Sequence, residues 1–352
     1  MPPLKRALRL CLAAALLLQA LPLCACGARE SAPLKRFEGG FLDVFDTATR
    51  VVLYAANEET AQAQMDLLHE ELLLYHRLFD IYHSYAGLSN LRTVNENAGA
   101  APVKVDARLI GLIRYCKEMY ALTGGKTNVA MGSVLSLWHD FREAGLNDPA
   151  SAALPPWGEL AAAAQRTDVN DVIIDENAGT LFLAKPGMLL DVGAVAKGYA
   201  AQRAVEFMAG QGVSSMLLSL GGNVCALGSR ADGQPWKVEV QAPDGPGALC
   251  AVAVSGQSLV TSGSYQRFYT VNGVRYHHII DPQTLMPGTL YQSVSVLSND
   301  SAMADALSTA LFLLPLEEGM ALVASLENTE ALWVDADGNQ TQSAGFGAYV
   351  LE

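Results

Sequence analysis

A chain of 352 residues that is 51% hydrophobic and only 17% charged can bury a large core, so disorder is not its default. Its formal net charge of −13 excludes a nucleic-acid partner recognised through a basic surface. Its six cysteines form no CxxC pair and no cluster with histidine, which sets aside a zinc centre.

At the N-terminus, Lys5, Arg6 and Arg9 precede an apolar run from Leu10 to Leu18. That run is too short to span a membrane and has the pattern of a secretory signal. It leads into Leu23, Cys24, Ala25, Cys26 and Gly27, which resembles a bacterial lipobox, with Cys26 as the lipidated first residue of the mature chain. An ordinary signal that happens to contain cysteines is the alternative, and either reading takes the protein out of the cytoplasm. Cleavage before Cys26 removes three basic and no acidic residues, leaving 20 Lys+Arg against 36 Asp+Glu, a net of −16. Residues 1–25 therefore read as signal peptide, 26–36 as a small, polar tether, and 37–352 as the globular domain. Cys116, Cys225 and Cys250 are expected as buried thiols, with one disulfide the alternative.

Residues 41–55, rich in β-branched and aromatic types, predict a strand, and Asn57 followed by Glu58 and Glu59 predicts a helix start. Met65, Leu68, Leu72, Tyr75 and Phe79 then recur at helical spacing, a stripe that belongs to the core. A polar loop containing Tyr82 follows, then a helix over 106–122 stopped by Gly124 and Gly125. Beyond 171, short strands alternate with turns, interrupted by helical stretches at 194–210 and 303–326. The turns favour antiparallel pairing, so the class is α+β with mixed, largely antiparallel sheets and packed helices.

Four constellations carry chemistry. In DVGAVAKGY (191–199), a strand runs into Asp191 and a helix start, where unpaired backbone N–H groups and Lys197 suit a pyrophosphate. The same residues would also serve as an N-cap and a solvated charge. In SLGGN (219–223), Gly221 and Gly222 let backbone approach a ligand or simply close a tight turn before Asn223. The segment 261–288 gathers Arg267, Arg275, His277, His278 and Asp281. Adjacent residues of a strand face opposite ways, so His277 and His278 cannot both reach one site. In ADALSTALF (304–312), Asp305 and Thr309 stand four apart on one helical face. They are hard oxygen donors suited to magnesium, unless they only interact with the helix's own dipole and carbonyls.

In order, FDTATRVVLYA, Tyr82 with LSNLRTVN, TNVAMGSVLSLW, LLDVGAVAKGYA, SLGGN, TSGSYQRFYTVNGVRYHHIIDP and ADALSTALF resemble the successive signature blocks of the ApbE family of FAD:protein FMN transferases, over essentially residues 41–350. The resemblance implies a catalytic domain related to the T-fold, with FAD as substrate and Mg²⁺ as cofactor. It implies that Asp191 and Lys197 contact FAD, that Ala194 offers its backbone oxygen to the metal, and that Asp305 and Thr309, with Ser308 beside them, supply side-chain oxygens. Phe45 falls where the family often has methionine near the isoalloxazine, and Tyr82 matches a flavin-stacking tyrosine. Asn128, Val129, Ala130 and Met131 fall in a nucleotide-contacting block, and Ile279 matches a backbone contact. Gly221, Gly222, Asn223 and Arg267 join the FAD-binding set. Three departures from the commoner pattern are Phe45 for methionine, Asn128 for aspartate and Ala194 for glycine.

The implied reaction transfers FMN from FAD to a threonine or serine hydroxyl of an extracytoplasmic acceptor protein and releases AMP. His278 is the candidate base, with His277 or a metal-bound carboxylate as alternatives. The rival readings are an FAD pyrophosphatase, a flavin-binding lipoprotein without catalysis, and a flavinylated carrier. Asp46-Thr47-Ala48-Thr49 is a poor match to the acceptor motif that such a carrier needs.

Overall fold

The computed structural model describes residues 33–243 and 245–351. The signal segment, Cys26 and the tether as far as residue 32 lie outside them. Leu34–Glu352 forms one compact unit. Its first strand, Lys35–Val44, begins two residues before the expected domain start, so Lys35 and Arg36 belong to the sheet and not to the tether.

The frame is an eight-stranded sheet, antiparallel at every pairing, whose strands follow one another in chain order. They are Lys35–Val44, Thr47–Ala55, Met216–Leu220, Asn223–Leu227, Ser258–Gly263, Tyr291–Ser298, Thr329–Asp335 and Gln340–Gln342. Both faces are covered. Val51, Leu53, Met216 and Leu218 point to a helical layer built from Glu58–Phe79, Ala107–Leu122 and Ala196–Gly210. Their neighbours Val52, Tyr54 and Leu217 point the other way, onto a three-stranded sheet of Trp236–Gln241, Ala248–Val254 and Val350–Leu351. A strand apolar on both faces shows no polar alternation, which is why MLLSL reads as a continuous apolar run.

The long helix forms as expected: the Asn57 side chain accepts from the Thr60 amide at 2.8 Å, and all five stripe residues are buried. Three boundaries differ from expectation. Residues 41–55 are not one strand but two arms of a hairpin that turns at Phe45–Asp46, where no Gly, Pro or Asn-Gly signals a turn. The helix expected over 194–210 begins at Ala196. The stretch 303–326 is two helices, Ser301–Leu313 and Leu316–Ala324, divided at Pro315, which cannot continue the first. Cys116, Cys225 and Cys250 are free thiols, the first two buried and the third half-buried.

Candidate active site

One edge of this sheet, at Phe45–Thr47, Gly221, Asn223 and Val260–Gly263, lines a cavity of about 390 Å³. Two helices set its floor. Ala196–Gly210 and Ser301–Leu313 pack so closely that a Cβ on Gly198 would lie 2.3 Å from the Ser301 carbonyl oxygen and 2.5 Å from the Asp305 Cβ. Only glycine permits that approach.

The close approach rearranges the hydrogen bonds at the start of the first helix. The Gly198 amide, which helical periodicity would direct to the Ala194 carbonyl, donates instead to Asp305 Oδ2 at 2.7 Å. No backbone N–H among the described residues donates to the Ala194 carbonyl. One N–H thus orients a buried carboxylate and releases a carbonyl, and Ala194, Lys197, Asp305 and Thr309 all line the cavity. Burial raises the Asp305 carboxyl above the usual carboxylate range, a tendency that nearby Lys197 and the Gly198 amide oppose. A buried carboxylate with only one amide partner, beside a released carbonyl and a hydroxyl, is an all-oxygen donor set that fits a hard cation such as Mg²⁺.

Asp191 is not the N-cap of the helix. Its Oδ1 accepts from the Gly193 amide at 2.8 Å, and the helix begins five residues later, at Ala196, after the N-cap Val195, which makes no side-chain cap bond. Burial raises its carboxyl too, against the pull of Gly193, His139, Lys197 and Arg267. Lys197 makes no ion pair among the described residues, whereas Lys126, also on the wall, is held by Asp281 at 2.8 Å. In a chain of net −13, Lys126, Arg142, Lys197 and Arg267 offset Asp46, Asp80, Asp191 and Asp305 on the cavity wall, so the wall does not share the chain's negative excess.

The two histidines separate as strand geometry requires. His277 is buried against Phe312, donates Nε2–H to the Gly288 carbonyl at 2.6 Å and accepts from the Ile279 amide at Nδ1. Both its nitrogens are occupied, which removes it as a base. His278 opens to the cavity, and its imidazole is pushed down to about 3, first by the protein packed around it and then by Arg267, His277 and Lys197. It is neutral at physiological pH but a weak base in the empty cavity, and the negative charge of a bound pyrophosphate would raise its basicity.

Phe45, Tyr82, Asn128, Met131, Gly221, Asn223, Arg267 and Ile279 also reach the cavity. Four expected residues do not. Val129 and Ala130 are core residues of a short 3₁₀ turn, and Gly222 faces open space at the far side of its turn. Ser308 is fully buried behind the wall, where it donates to the Asp305 carbonyl and pairs with Ser262 at 2.8 Å. The hydroxyls that do face the cavity beside Thr309 are Thr261 and Ser262, residues that the TSGSY block contains but that sequence reasoning passed over. His76, Asp80, Lys126, His139 and Arg142 were missed as well, because their roles depend on partners distant in sequence.

A second cavity of about 490 Å³ shares Ile81, Tyr82, Leu135, His139 and Asp191 with the first. Tyr82, tilted against His139 with ring centroids 5.7 Å apart, lines both. Together they form an extended groove with a cationic, carboxylate-containing floor and aromatic residues along one end.

The sequence model of the ApbE family matches residues 45–333. The chain belongs to that family. It is 37% identical over 274 residues to the FAD:protein FMN transferase of Treponema pallidum, covering 73% of this chain and 74% of that one. It is 32% identical over 295 residues to one of Klebsiella pneumoniae, covering 81% and 89%. Among solved structures, the ApbE protein of Thermotoga maritima superposes with a TM-score of 0.80 at 26% identity, over 90% of this chain and all of that one. The flavin transferase ApbE of Vibrio cholerae superposes at 0.74 and 24% identity, a likeness of fold. By family the protein is a transferase, and the expected mixed, antiparallel α+β class holds.

Proposed function

We propose that this ApbE-family protein transfers FMN from FAD to a threonine or serine hydroxyl of an acceptor protein. The names of its relatives support the flavin substrate. The observation that carries the reading is the Gly198–Asp305 bond, which ties a carboxylate to the helix of Lys197 and leaves the Ala194 carbonyl without its helical donor, all three on the wall of one cavity.

Asp305, Thr309 and the Ala194 carbonyl are the groups that would hold Mg²⁺, which would supply charge neutralisation at the pyrophosphate. Lys197 binds a pyrophosphate oxygen, and Arg267 and Arg142 draw the dinucleotide toward the floor. The acceptor hydroxyl oxygen forms a bond to the FMN-side phosphorus as the pyrophosphate P–O bond breaks. AMP leaves with that bridging oxygen, and the hydroxyl proton passes to neutral His278. Little covalent work falls to the protein; positioning and charge stabilisation dominate such a transfer.

The signal and lipobox residues support placing the enzyme outside the cytoplasm, tethered to the membrane through Cys26, where its acceptors would be extracytoplasmic flavin carriers. The test uses protein beginning at Gly27, FAD, Mg²⁺ and an acceptor domain with a Ser/Thr flavinylation site. An acceptor heavier by one FMN less water, with one AMP per label, supports transfer. Free FMN and AMP with unlabelled acceptor would make the enzyme a pyrophosphatase, and bound FAD without AMP would leave a binding protein.

A further inference from the structure

The aromatic end of the cavity is held by one carboxylate. Phe45 and Asp46 turn the first hairpin with φ of 55° and 49°, left-handed at both central positions, where Asn-Gly would be the ordinary choice. A bulky aromatic in that conformation is strained and needs its surroundings to fix it. Its amide donates to His76 Nδ1 at 3.1 Å, so that nitrogen is unprotonated. The other ring nitrogen, Nε2, lies 3.4 Å from the Tyr85 hydroxyl, which donates to Asp80 Oδ2 at 2.7 Å. Every group in this chain can donate onward: the Phe45 amide to His76, His76 Nε2–H to Tyr85, and Tyr85 to Asp80.

The other oxygen of the same carboxylate serves the neighbouring loop. Asp80 Oδ1 accepts from the Tyr82 amide at 2.6 Å and from the His83 amide at 3.1 Å, and Oδ2, besides Tyr85, pairs with His83 Nδ1 at 3.0 Å. The loop is clamped from its other side by the Arg92 guanidinium on the Tyr82 carbonyl, and the Asp80 carbonyl accepts from the Arg92 amide. Asp80 is buried, and its burial alone would raise its carboxyl. The Tyr85 hydroxyl and the two amides outweigh that and hold it below the usual range. Burial and then Asp80 push the Tyr85 phenol up to about 12, so it stays a donor.

We infer that Asp80 is a positioning residue that sets both aromatic walls of the flavin end, fixing Tyr82 directly through backbone amides and Phe45 through Tyr85 and His76. The two aromatics come from a hairpin turn and a loop that no backbone hydrogen bond joins among the described residues, and this carboxylate is where their supports meet. The inference rests on the reading of the cavity as an FAD site, but the relay itself is independent of flavin.

The test measures two quantities on wild type, Tyr85→Phe, Asp80→Asn, Asp80→Ala and the Asp80→Ala/Tyr85→Phe pair. One is hydrogen exchange at the amides of residues 42–47; the other is FAD affinity from quenching of flavin fluorescence, with melting temperature as the check on folding. Tyr85→Phe is expected to speed exchange at Phe45 and to weaken FAD binding severalfold. Asp80→Asn, whose amide can still accept from Tyr82 and His83 but offers Tyr85 no second carboxylate oxygen, should behave like Tyr85→Phe. Asp80→Ala should weaken binding more, roughly tenfold, the scale of one or two lost hydrogen bonds. Adding Tyr85→Phe to Asp80→Ala should then change nothing further. The inference is overturned if folded Tyr85→Phe keeps wild-type exchange at Phe45 and wild-type FAD affinity, or if the two substitutions act additively. If wild type binds no FAD, the flavin reading fails, while the exchange data still judge the relay.

Discussion

The two ends of the cavity are built by different means. At the floor, two helices cross in contact at Gly198, and the donors ride on regular backbone: Lys197 on one helix, Asp305 and Thr309 on the other. At the aromatic end, Phe45 and Tyr82 sit on a strained turn and an irregular loop tied together by side-chain hydrogen bonds. The floor is fixed by packing, and the rim by a polar network. The difference suits the tasks: charge must be stabilised by groups that do not reorganise, whereas the flavin must enter and the labelled acceptor leave.

If packing fixes the floor, the largest effect should come from its carboxylate. Asp305→Asn keeps an acceptor for the Gly198 amide but loses the charge, and transfer is expected to fall by ~10³-fold or more, on the scale of removing a principal electrostatic stabiliser. Folding should not suffer. Burial raises the carboxyl of Asp305, so in metal-free protein it favours the fold below its unfolded value of 3.8 and opposes it as pH rises through the folded value. Metal-free wild type should therefore lose stability across the acid-to-neutral range, and Asp305→Asn should lose less; melting curves against pH check this.

His278→Ala comes next, with kcat lower by ~10²-fold and the KM for FAD little changed, as befits a general base. Because its imidazole is pushed down to about 3, protonation of His278 should not impose an activity limb near 6.5. A limb at 6.5 in wild type that disappears in His278→Ala would contradict the depression assigned to its surroundings and to Arg267, His277 and Lys197.

Gly198→Ala sharpens the contrast between the ends. The added methyl meets backbone and Cβ atoms that cannot swing away, and overpacking of this kind costs about 1–3 kcal/mol. Melting temperature and magnesium requirement should both worsen. Arg92→Ala, which frees the Tyr82 carbonyl at the rim, should by contrast raise the KM for FAD a fewfold and leave the magnesium requirement unchanged.

The floor was legible in the sequence, whereas at the rim the family resemblance marked Phe45 and Tyr82 but nothing marked the network that holds them. Asp191 to Lys197 and Asp305 to Thr309 are short-range patterns on helices, where spacing alone places side chains on one face. Even there the reading overreached at Ser308, because adjacent helical positions diverge and its hydroxyl turns to Ser262. It also started the helix directly after Asp191, since nothing local reveals that the backbone takes five more residues to enter it. At the rim, the pairing of Phe45 with His76 spans 31 residues and that of Lys126 with Asp281 spans 155, distances that no local pattern encodes. The hairpin turn was hidden because Phe-Asp is a poor turn sequence, held by His76 from outside. Asp80 alone left a trace: an aspartate two residues before Tyr82 is the pattern of an Asx turn.

The most direct test of the account is a magnesium titration of flavin transfer at fixed FAD and acceptor, in wild type and in Asp305→Asn. Wild type should pass from unlabelled acceptor without Mg²⁺ to one FMN per acceptor, and Asp305→Asn should leave the acceptor unlabelled across the same range. A variant that labels the acceptor with the wild-type magnesium midpoint would contradict the metal-binding role given to the Gly198–Asp305 junction.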